Sequence, residues 1–457
     1  MKKHHSNRSM FSGKLGFVLS AAGASVGLGN IWRFPYLAAK YGGGIFLLIY
    51  ILLALTFGYT MIVAETSLGR MTRKSPVGAF ASFTKSHTLK AGGWINAIIP
   101  ILIVPYYSVI GGWVIKYLFE YICGNGTKLA EDGYFSMFIS DGVSAEICFI
   151  VFALITLTII FAGVRNGIER VSKFMMPILV VLSVIIAIYS VTRPGALKGI
   201  QYFLVPNLEN FSWMTVVSAM GQMFYSLSIA MGILVTFGSY MKKETSIENS
   251  TRNVEIFDTA IAIMAGLMII PAVFAFSGGD PNTLQAGPSL MFITIPKVFA
   301  SMGFGTAVGI LFFVLVLFAA VTSSIALTES AVSTFEDELH WNRKKSTVVI
   351  GIIMLALGTL SSLGYGPLDA VKILGMQFLD FFDFLTNSVM MPIAAIATCL
   401  LVSRVIGVDR IEEEMTQEGG TFRRKKIFVM MIKYLCPVFA AIILISSVMN
   451  AFGLISM

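Results

Sequence analysis

Charged residues are scarce in this sequence of 457 residues: Asp, Glu, Lys and Arg together make up 13% of it. A soluble globular protein carries about 25% charged residues and about 45–50% apolar ones. Here the apolar share is 56% and the mean hydropathy is +0.81, so water cannot be the solvent for most of the surface. The composition therefore excludes a soluble domain and indicates an integral membrane protein.

Histidine and cysteine are also rare, and neither is grouped. The four histidines lie in tails or loops, and the four cysteines, Cys123, Cys148, Cys399 and Cys436, are scattered along the chain. The sequence thus has neither metal-binding spacing nor a disulfide framework. It also lacks HExxH and a nucleophile serine in the strand-to-helix context of GxSxG, which argues against an intramembrane enzyme. No organic cofactor is expected.

Eleven apolar segments are long enough to cross a bilayer, which takes about 20 mostly apolar residues. The segment 281–299 is too polar and too short to span, and we expect an outer loop with one or two short helices there. The predicted spans are 11–38, 42–69, 91–121, 145–162, 168–191, 212–239, 254–277, 303–335, 347–364, 373–402 and 428–452. This predicts an all-α integral membrane protein with eleven transmembrane helices.

Lysine and arginine are unevenly divided between the loops. With the N-terminus inside, most of the 33 fall on the inner side, in stretches such as "HWNRKKS" and "FRRKK", and the long outer loop 122–144 is acidic. This is the positive-inside pattern, so the net charge of +8 indicates membrane topology and not a nucleic-acid partner. We expect a multi-pass protein of the plasma or inner membrane with a cytoplasmic N-terminus and an extracellular C-terminus.

Two predicted spans contain residues that interrupt a helix. The stretch "AGASVGLGNIWRFP" (22–35) carries glycines, an asparagine, an arginine and a proline, and "FYSLSIAMG" (224–232) places serines at mid-span. Gly23 and Gly27 alone fit a small-xxx-small helix contact. Interruptions in the first and the sixth span instead favour two inverted five-helix repeats with a binding site at the bilayer midplane.

These interruptions predict the organisation of the whole chain. It comprises a cytoplasmic tail 1–10, a first five-helix repeat 11–191, a second, inverted repeat 212–402, a cytoplasmic loop 403–427, and an eleventh span with a short extracellular C-terminus 428–457. Unwound backbone at membrane depth is tolerated only where it lines a cavity or is buried in protein. Its exposed amides can bind an anion, and its carbonyls a cation.

Five short motifs carry a family resemblance. The stretches "GLGNIWRFPY", "KYGGGIF", "FYSLS", "VTSSIAL" and "FEDEL" resemble those of the neurotransmitter:sodium symporters, especially the bacterial amino-acid transporters. The resemblance covers residues 8–452. It implies sodium-coupled import of neutral apolar or aromatic L-amino acids by alternating access. A membrane amino-acid sensor on the same fold and a proton-coupled amino-acid transporter remain alternatives.

The resemblance also implies two sodium sites built from oxygen ligands, which a hard cation prefers. The first would use Ser25, Asn30, Ser226 and Asp258, completed by the carboxylate of the substrate. The second would use carbonyls of Gly23, Val26 and Ala319 and the hydroxyls of Thr322 and Ser323. From the "TSS" stretch alone, hydroxyls bonded back to their own helix are the favoured interpretation, and the motif in the first span shifts the preference to sodium.

A substrate pocket beside these ions is implied as well. The α-carboxylate is expected at the amides of Leu28 and Gly29 and the hydroxyl of Tyr107, and the ammonium at carbonyls of Ser25, Tyr225, Ser226 and Ser228. The side-chain walls would be Ile103, Tyr107, Tyr225, Ile229, Met231, Ser324 and Leu327. A charged side chain would be unpaired among these mostly apolar groups, so a neutral amino acid is expected. Gly27 stands where the family's monoamine carriers place an aspartate, which also favours an amino acid.

Asp258 departs from the family pattern, which usually has asparagine at this position. The residues typical of the chloride-binding relatives, Tyr50, Gln222 and Ser226, are present, and Ala262 stands where some bacterial members place a glutamate. Asp258 can itself supply the negative charge that offsets sodium, so chloride independence is expected. An intramembrane carboxylate is also a candidate for proton antiport. Alternatively, Asp258 is an acid at a helix end facing the cytoplasm.

Two further departures lie in the expected pocket. Tyr225 replaces the usual phenylalanine of an aromatic lid, and its hydroxyl needs a hydrogen-bond partner when it is buried. Ala230 replaces a common glycine. The Tyr225 hydroxyl is expected either to narrow the pocket or to bridge a water, and Ala230 is expected to take space from the substrate.

Charged pairs are expected to gate the pocket on both sides. Arg33 and Asp383 are the implied outer gate, although a membrane arginine can also snorkel to the surface. The implied inner gate is Arg8 with Asp337, supported by Tyr240. Solvated loop charges are the alternative for Arg8 and Asp337.

Overall fold

Helices account for the architecture. The computed structural model describes residues 9–279 and 287–454. Within these residues the chain forms helices and no β-strand, apart from an isolated β-bridge between Ile373 and Met376. Nine of the described helices are long and apolar enough to cross a membrane, and one bent pair makes a tenth candidate. The predicted all-α membrane fold is confirmed at this level.

The helices fall in the order that the apolar segments predict. They are α1 Lys14–Ser25, α2 Gly29–Lys40, α3 Gly44–Thr72, α4 Pro76–Phe83, α5 His87–Ile122, α6 Gly126–Leu129, α7 Tyr134–Ser140, α8 Gly142–Phe161, α9 Val164–Val191, α10 Ala196–Leu204, α11 Trp213–Ser226, α12 Ile233–Ser239, α13 Ile247–Ser277, α14 Leu290–Ala300, α15 Gly305–Glu338, α16 Arg343–Leu363, α17 Phe378–Ile406, α18 Val408–Thr416 and α19 Lys425–Ala451. The nine long apolar helices are α3, α5, α8, α9, α13, α15, α16, α17 and α19.

The first predicted span is broken where its glycines lie. Helices α1 and α2 meet at an angle of 54°. Val26, just after α1, leaves the helical region of the backbone, with φ −74° and ψ 87°. A Cβ on Gly27 would lie 2.7 Å from the Ser323 hydroxyl, and one on Gly29 would lie 2.3 Å from the Tyr225 ring. The glycines therefore let neighbouring helices approach the break closely.

The sixth predicted span is broken as well, between α11 and α12. Ser228 and Ala230 in this break have φ of 52° and 59°, a left-handed conformation that costs a non-glycine residue about 1–2 kcal/mol. The carboxylate of Glu65 accepts a hydrogen bond of 2.8 Å from the Ala230 amide and so supports the unwound backbone. Helices α11 and α12 have 14 and 7 residues, neither of them long enough to span. The eleven-span count therefore stays a prediction.

The broken helices lie at the centre of the bundle. Helix α1 packs against α13 and α15, α15 packs along α5, and α12 packs against α3. The segment 281–299, predicted to be a loop with short helices, contains α14, while its residues 281–286 lie outside the described part. We call the end of the molecule that carries Arg33 and Asp383 the outer end, and the end that carries Phe11 and Tyr240 the inner end.

The segment between α17 and α19, which lies within the predicted cytoplasmic loop 403–427, is anchored at the inner end. The Arg70 guanidinium of α3 lies 2.5 Å from the Glu414 carboxylate of α18 and donates to the Thr245 carbonyl at 2.7 Å. In the other direction, Arg424 pairs with Glu255 of α13 at 2.9 Å. Two arginine–carboxylate pairs thus bind this segment to α3 and α13.

Candidate functional site

Both helix breaks line one cavity, which we call the central cavity. Its lining residues are Ala24, Ser25, Gly27, Leu28, Gly29, Asn30, Ile103, Tyr107, Tyr225, Ser228, Met231, Ser323 and Leu327. Backbone of the first break forms one side. The side chains of Ile103, Met231, Leu327 and the two tyrosines form the other, mostly apolar, side.

Most of the predicted substrate residues line the central cavity, and three do not. Ser226 lies instead in a hydrogen-bonded cluster with Asp258. The Ser324 hydroxyl lies 3.0 Å from that of Thr156 and is fully buried. Ile229 is buried but does not line the cavity. Helix α15 therefore lines the cavity with Ser323 and Leu327, and the Ser324 side chain lies outside it.

Two backbone amides of the first break make only long hydrogen bonds. The Leu28 amide donates to the Tyr107 hydroxyl at 3.4 Å, and the Gly27 amide to the Asn30 side-chain oxygen at 3.4 Å. These lengths lie beyond the usual range of 2.7–3.2 Å for such bonds. The amides are thus weakly occupied and stand beside the cavity, where an anionic group can take them.

A carboxylate stands between the two breaks, in a set of four side chains that we call the acid cluster: Asn30, Tyr50, Ser226 and Asp258. Asp258 accepts hydrogen bonds from Asn30 at 2.8 Å, from Ser226 at 2.8 Å and from Tyr50 at 2.9 Å. All four side chains are buried. A buried carboxylate with several donors is held in place and can offset the charge of a cation. This geometry does not match an acid at a helix end facing solvent.

The residues predicted for the second sodium site also lie together, where α1 meets α15. The Ser323 hydroxyl reaches across to the carbonyls of Gly23 at 3.3 Å and Ala24 at 3.1 Å. The Thr322 hydroxyl bonds back to its own helix, to the carbonyls of Phe318 and Ala319. In this structure Thr322 therefore bonds within its own helix, whereas Ser323 bonds across to α1. Val26, the remaining member of the set, is buried directly after α1.

A larger cavity, which we call the outer cavity, lies between the central one and the outer end. Tyr225 lines both, so its ring separates them. Arg33 and Asp383 also line the outer cavity, but they are not joined by an ion pair within 4.0 Å. The Arg33 guanidinium lies 5.2 Å from the centre of the Tyr225 ring, and Asp383 accepts from Asn387 at 2.6 Å. Arg33 and Asp383, the predicted outer gate, thus face the same cavity without forming an ion pair.

The inner end is closed by contacts that the sequence only partly predicts. Arg8 lies outside the described residues. The carboxylate of Asp337 accepts from the Ser75 amide at 2.5 Å. The Tyr240 hydroxyl donates to Glu329 at 2.7 Å, and Arg343 binds the same carboxylate with both of its terminal nitrogens, at 3.0 and 2.5 Å.

Glu329 and Arg343 are residues that sequence reasoning missed, although one signal was present. Glu329 lies inside the predicted span 303–335, and an acid within a membrane segment is a functional hypothesis by default. It is fully buried. Its partner Arg343 lies in the basic stretch "NRKK", where sequence alone does not distinguish it from its solvated neighbours.

Comparison with known proteins agrees with this arrangement of broken helices. The sequence matches the profile of the Sodium:neurotransmitter symporter family over residues 8–127 and 136–454. The chain belongs to this family. It is 34% identical over 452 residues to the uncharacterized sodium-dependent transporter YhdH of Bacillus subtilis, covering 98% of each chain.

Two other members of the sodium:neurotransmitter symporter family extend the comparison. The human sodium- and chloride-dependent GABA transporter 2 is 27% identical, over 90% of this chain and 75% of that protein. The crystal structure of MhsT in complex with L-phenylalanine superposes with a TM-score of 0.86 at 34% identity, covering 96% of this chain and all of that one. The family consists of membrane-embedded sodium-dependent transporters, and this protein is one of them.

Proposed function

We propose that the protein is a sodium-coupled symporter that imports neutral apolar or aromatic L-amino acids without chloride. The observation that carries this is the central cavity, in which weakly occupied backbone amides face apolar walls beside the buried carboxylate of Asp258. The binding of L-phenylalanine by MhsT supports the choice of substrate.

The cavity accounts for the three parts of such a substrate. The α-carboxylate binds the amides of Leu28 and Gly29 and the hydroxyl of Tyr107, which already lies 3.4 Å from the Leu28 amide. The ammonium binds carbonyls at the two breaks. The side chain lies against Ile103 and Met231, where no charged group could pair with a lysine or glutamate side chain.

Two sodium ions bind next to this substrate. The first lies at the acid cluster with Ser25, and the carboxylate of the substrate completes it, so ion and substrate bind cooperatively. The second lies between α1 and α15, with Thr322 and Ser323 turning their hydroxyls from their present carbonyl partners toward the ion. Both sets offer the oxygen ligands that a hard cation prefers.

Asp258 makes chloride unnecessary. A unit charge about 4 Å from a sodium ion contributes about 4 kcal/mol at an effective dielectric constant of 20, or about a thousandfold in affinity. In a chloride-dependent carrier a bound anion supplies this charge, whereas here a carboxylate fixed by three hydrogen bonds does so.

Alternating access follows from the two ends of the molecule. The N-terminus is cytoplasmic, so the outer cavity opens to the extracellular side and the Glu329–Arg343 pair closes the cytoplasmic side. Binding brings Arg33 and Asp383 together over Tyr225. The two inverted repeats then rock, the inner contacts separate, and the sodium gradient drives release.

Uptake into proteoliposomes tests the proposal. Labelled leucine, phenylalanine, lysine and glutamate are offered with an inward sodium gradient or with potassium, in chloride or in gluconate. We expect uptake of leucine and phenylalanine that needs sodium and is equal in both anions. Uptake that needs chloride would refute the role of Asp258, and sodium-dependent binding without uptake would instead support an amino-acid sensor.

The variant Asp258→Asn isolates the charge argument. It keeps the size of the side chain but removes the negative charge, so uptake in gluconate should fall at least tenfold and chloride should restore part of it. Asp409→Asn is the matched control, because Asp409 is exposed at the start of α18. Equal anion dependence in both variants would contradict the proposal.

A further inference from the structure

Three sulfur atoms from three helices meet in the interior, away from the central cavity. The Cys399 thiol of α17 lies 3.7 Å from the thioether sulfur of Met61 in α3. The Cys436 thiol of α19 lies next to that of Cys399, where α17 and α19 pack against each other. All three side chains are fully buried. We call Met61, Cys399 and Cys436 the sulfur cluster.

The helices that carry the two thiols approach closely at this point for a reason visible in the sequence. Ala395 lies one turn before Cys399 on α17, and Ala440 lies one turn after Cys436 on α19. Residues four apart share a helix face, and small residues on facing sides let membrane helices come together. Both alanines are buried. The two cysteines are thus held together by helix packing and not by a flexible loop.

We propose that the sulfur cluster is a binding site for a soft, thiophilic divalent cation of the mercuric class. Thiolate and thioether sulfur are soft ligands, which select soft metal ions over the hard sodium ion that the protein transports. Metal–sulfur bonds of about 2.3 Å let two sulfur ligands of one ion lie up to about 4.6 Å apart. The 3.7 Å between the sulfur atoms of Cys399 and Met61 lies within this limit.

Charge balance selects a divalent ion. Mercuric chloride enters as a neutral molecule, loses two chloride ions and forms two mercury–sulfur bonds, while Cys399 and Cys436 each release one proton. No electron is transferred. The product is neutral, as an apolar interior requires, whereas a monovalent ion with two thiolates would leave a buried negative charge. Zinc would lack the four strong ligands of its usual sites, because the thioether of Met61 is a weak donor.

The bound ion joins helices that shape the outer cavity. Asp383 on α17 and Asn450 on α19 both line that cavity, and α3 carries Tyr50 of the acid cluster. An ion on the sulfur cluster therefore fixes α17 and α19 to each other and to α3. If the proposed transport cycle requires these helices to move relative to one another, the bound ion stops transport.

The test uses the full chain carrying Cys123→Ser and Cys148→Ser, which leaves the sulfur cluster as its thiols. The purified protein is incubated with mercuric chloride, passed over a desalting column with excess glutathione, and analysed for retained mercury by mass spectrometry. We expect one mercury per chain and the ultraviolet absorption of a bis-thiolate complex. Added Cys399→Ser or Cys436→Ser should lower retained mercury at least tenfold.

Further variants keep the test independent of folding and of transport. The double variant Cys399→Ala with Cys436→Ala avoids placing a serine hydroxyl in this apolar site. It should lower retained mercury as much as the serine variants do. Met61→Leu should release mercury to glutathione several times faster, and Met291→Leu, at another buried methionine, should not. Two mercury ions per chain, or equal retention without the cysteine pair, would overturn the proposal. The metal count does not depend on uptake, so its failure is distinct from failure of the transport proposal.

Discussion

Replacing Gly29 by alanine tests how closely Tyr225 covers the central cavity. The new Cβ would lie 2.3 Å from Cδ1 and 2.4 Å from Cε1 of the tyrosine ring. Ordinary carbon contacts begin near 3.5 Å, so the ring must move by about 1 Å. Forcing a methyl group into packed surroundings costs about 1–3 kcal/mol. We therefore expect the dissociation constant for leucine, measured in sodium by equilibrium binding, to rise about 5- to 150-fold.

Two further variants decide whether the ring is the cause. Gly221→Ala in α11 is the matched control, because its Cβ would meet only Arg33, at 3.9 Å. It should leave binding within about twofold. In Gly29→Ala with Tyr225→Leu the clash is removed, so the effects of the two changes should not add. Wild-type affinity in Gly29→Ala, or strict additivity in the double variant, would refute the geometry of the lid.

Three other perturbations follow from the structure. Ala230→Gly should raise the thermal unfolding midpoint, because it relieves a left-handed alanine by about 1 kcal/mol; a lower midpoint would show that Ala230 is not strained. Arg70→Ala should destabilise the protein by about 3–5 kcal/mol in thermal unfolding, because it leaves the buried carboxylate of Glu414 without its arginine. A loss of stability below about 1 kcal/mol would contradict this expectation. Arg343→Leu should increase thiol labelling of a cysteine introduced at buried Ser333, because the unpaired Glu329 carboxylate favours opening of the inner end to water. Adding Glu329→Gln should reverse this increase. Unchanged labelling in Arg343→Leu would contradict the closing role of the pair.

The long helices and the first break could be predicted from the sequence because one physical rule decides each. Apolar length determines which segments can span, and α3, α8, α15 and α19 begin and end within three residues of the predicted spans. The glycines at 23–29 mark the first break. The start of α5 could not be predicted in this way: it lies at His87, four residues before the predicted span 91–121. Helices extend past the apolar core into polar residues that composition assigns to loops.

Contacts between distant charged residues could not be predicted in this way. Arg70 and Glu414 are separated by 344 residues, and each lies in a stretch whose charges suggest a solvated surface. Burial of such a pair depends on how the chain folds back, which no local pattern encodes. The substrate and sodium residues were reached through the family resemblance. The resemblance implies Ser324 in the pocket wall, whereas in the structure Ser323 lines the cavity and Ser324 contacts Thr156, because a motif does not determine which of two adjacent side chains faces a cavity.

The acid cluster explains how one buried group can connect both helix breaks. Asn30 lies at the start of α2, Ser226 ends α11, and both donate to Asp258 on the unbroken helix α13. A cation that takes these oxygens must displace the hydrogen bonds that now join the breaks, so its binding energy acts on α2 and α11 together. Neither break can be rearranged by the ion without the other. In the proposed transport cycle, coupling between ion and substrate therefore follows from shared ligands and requires no longer path through the protein.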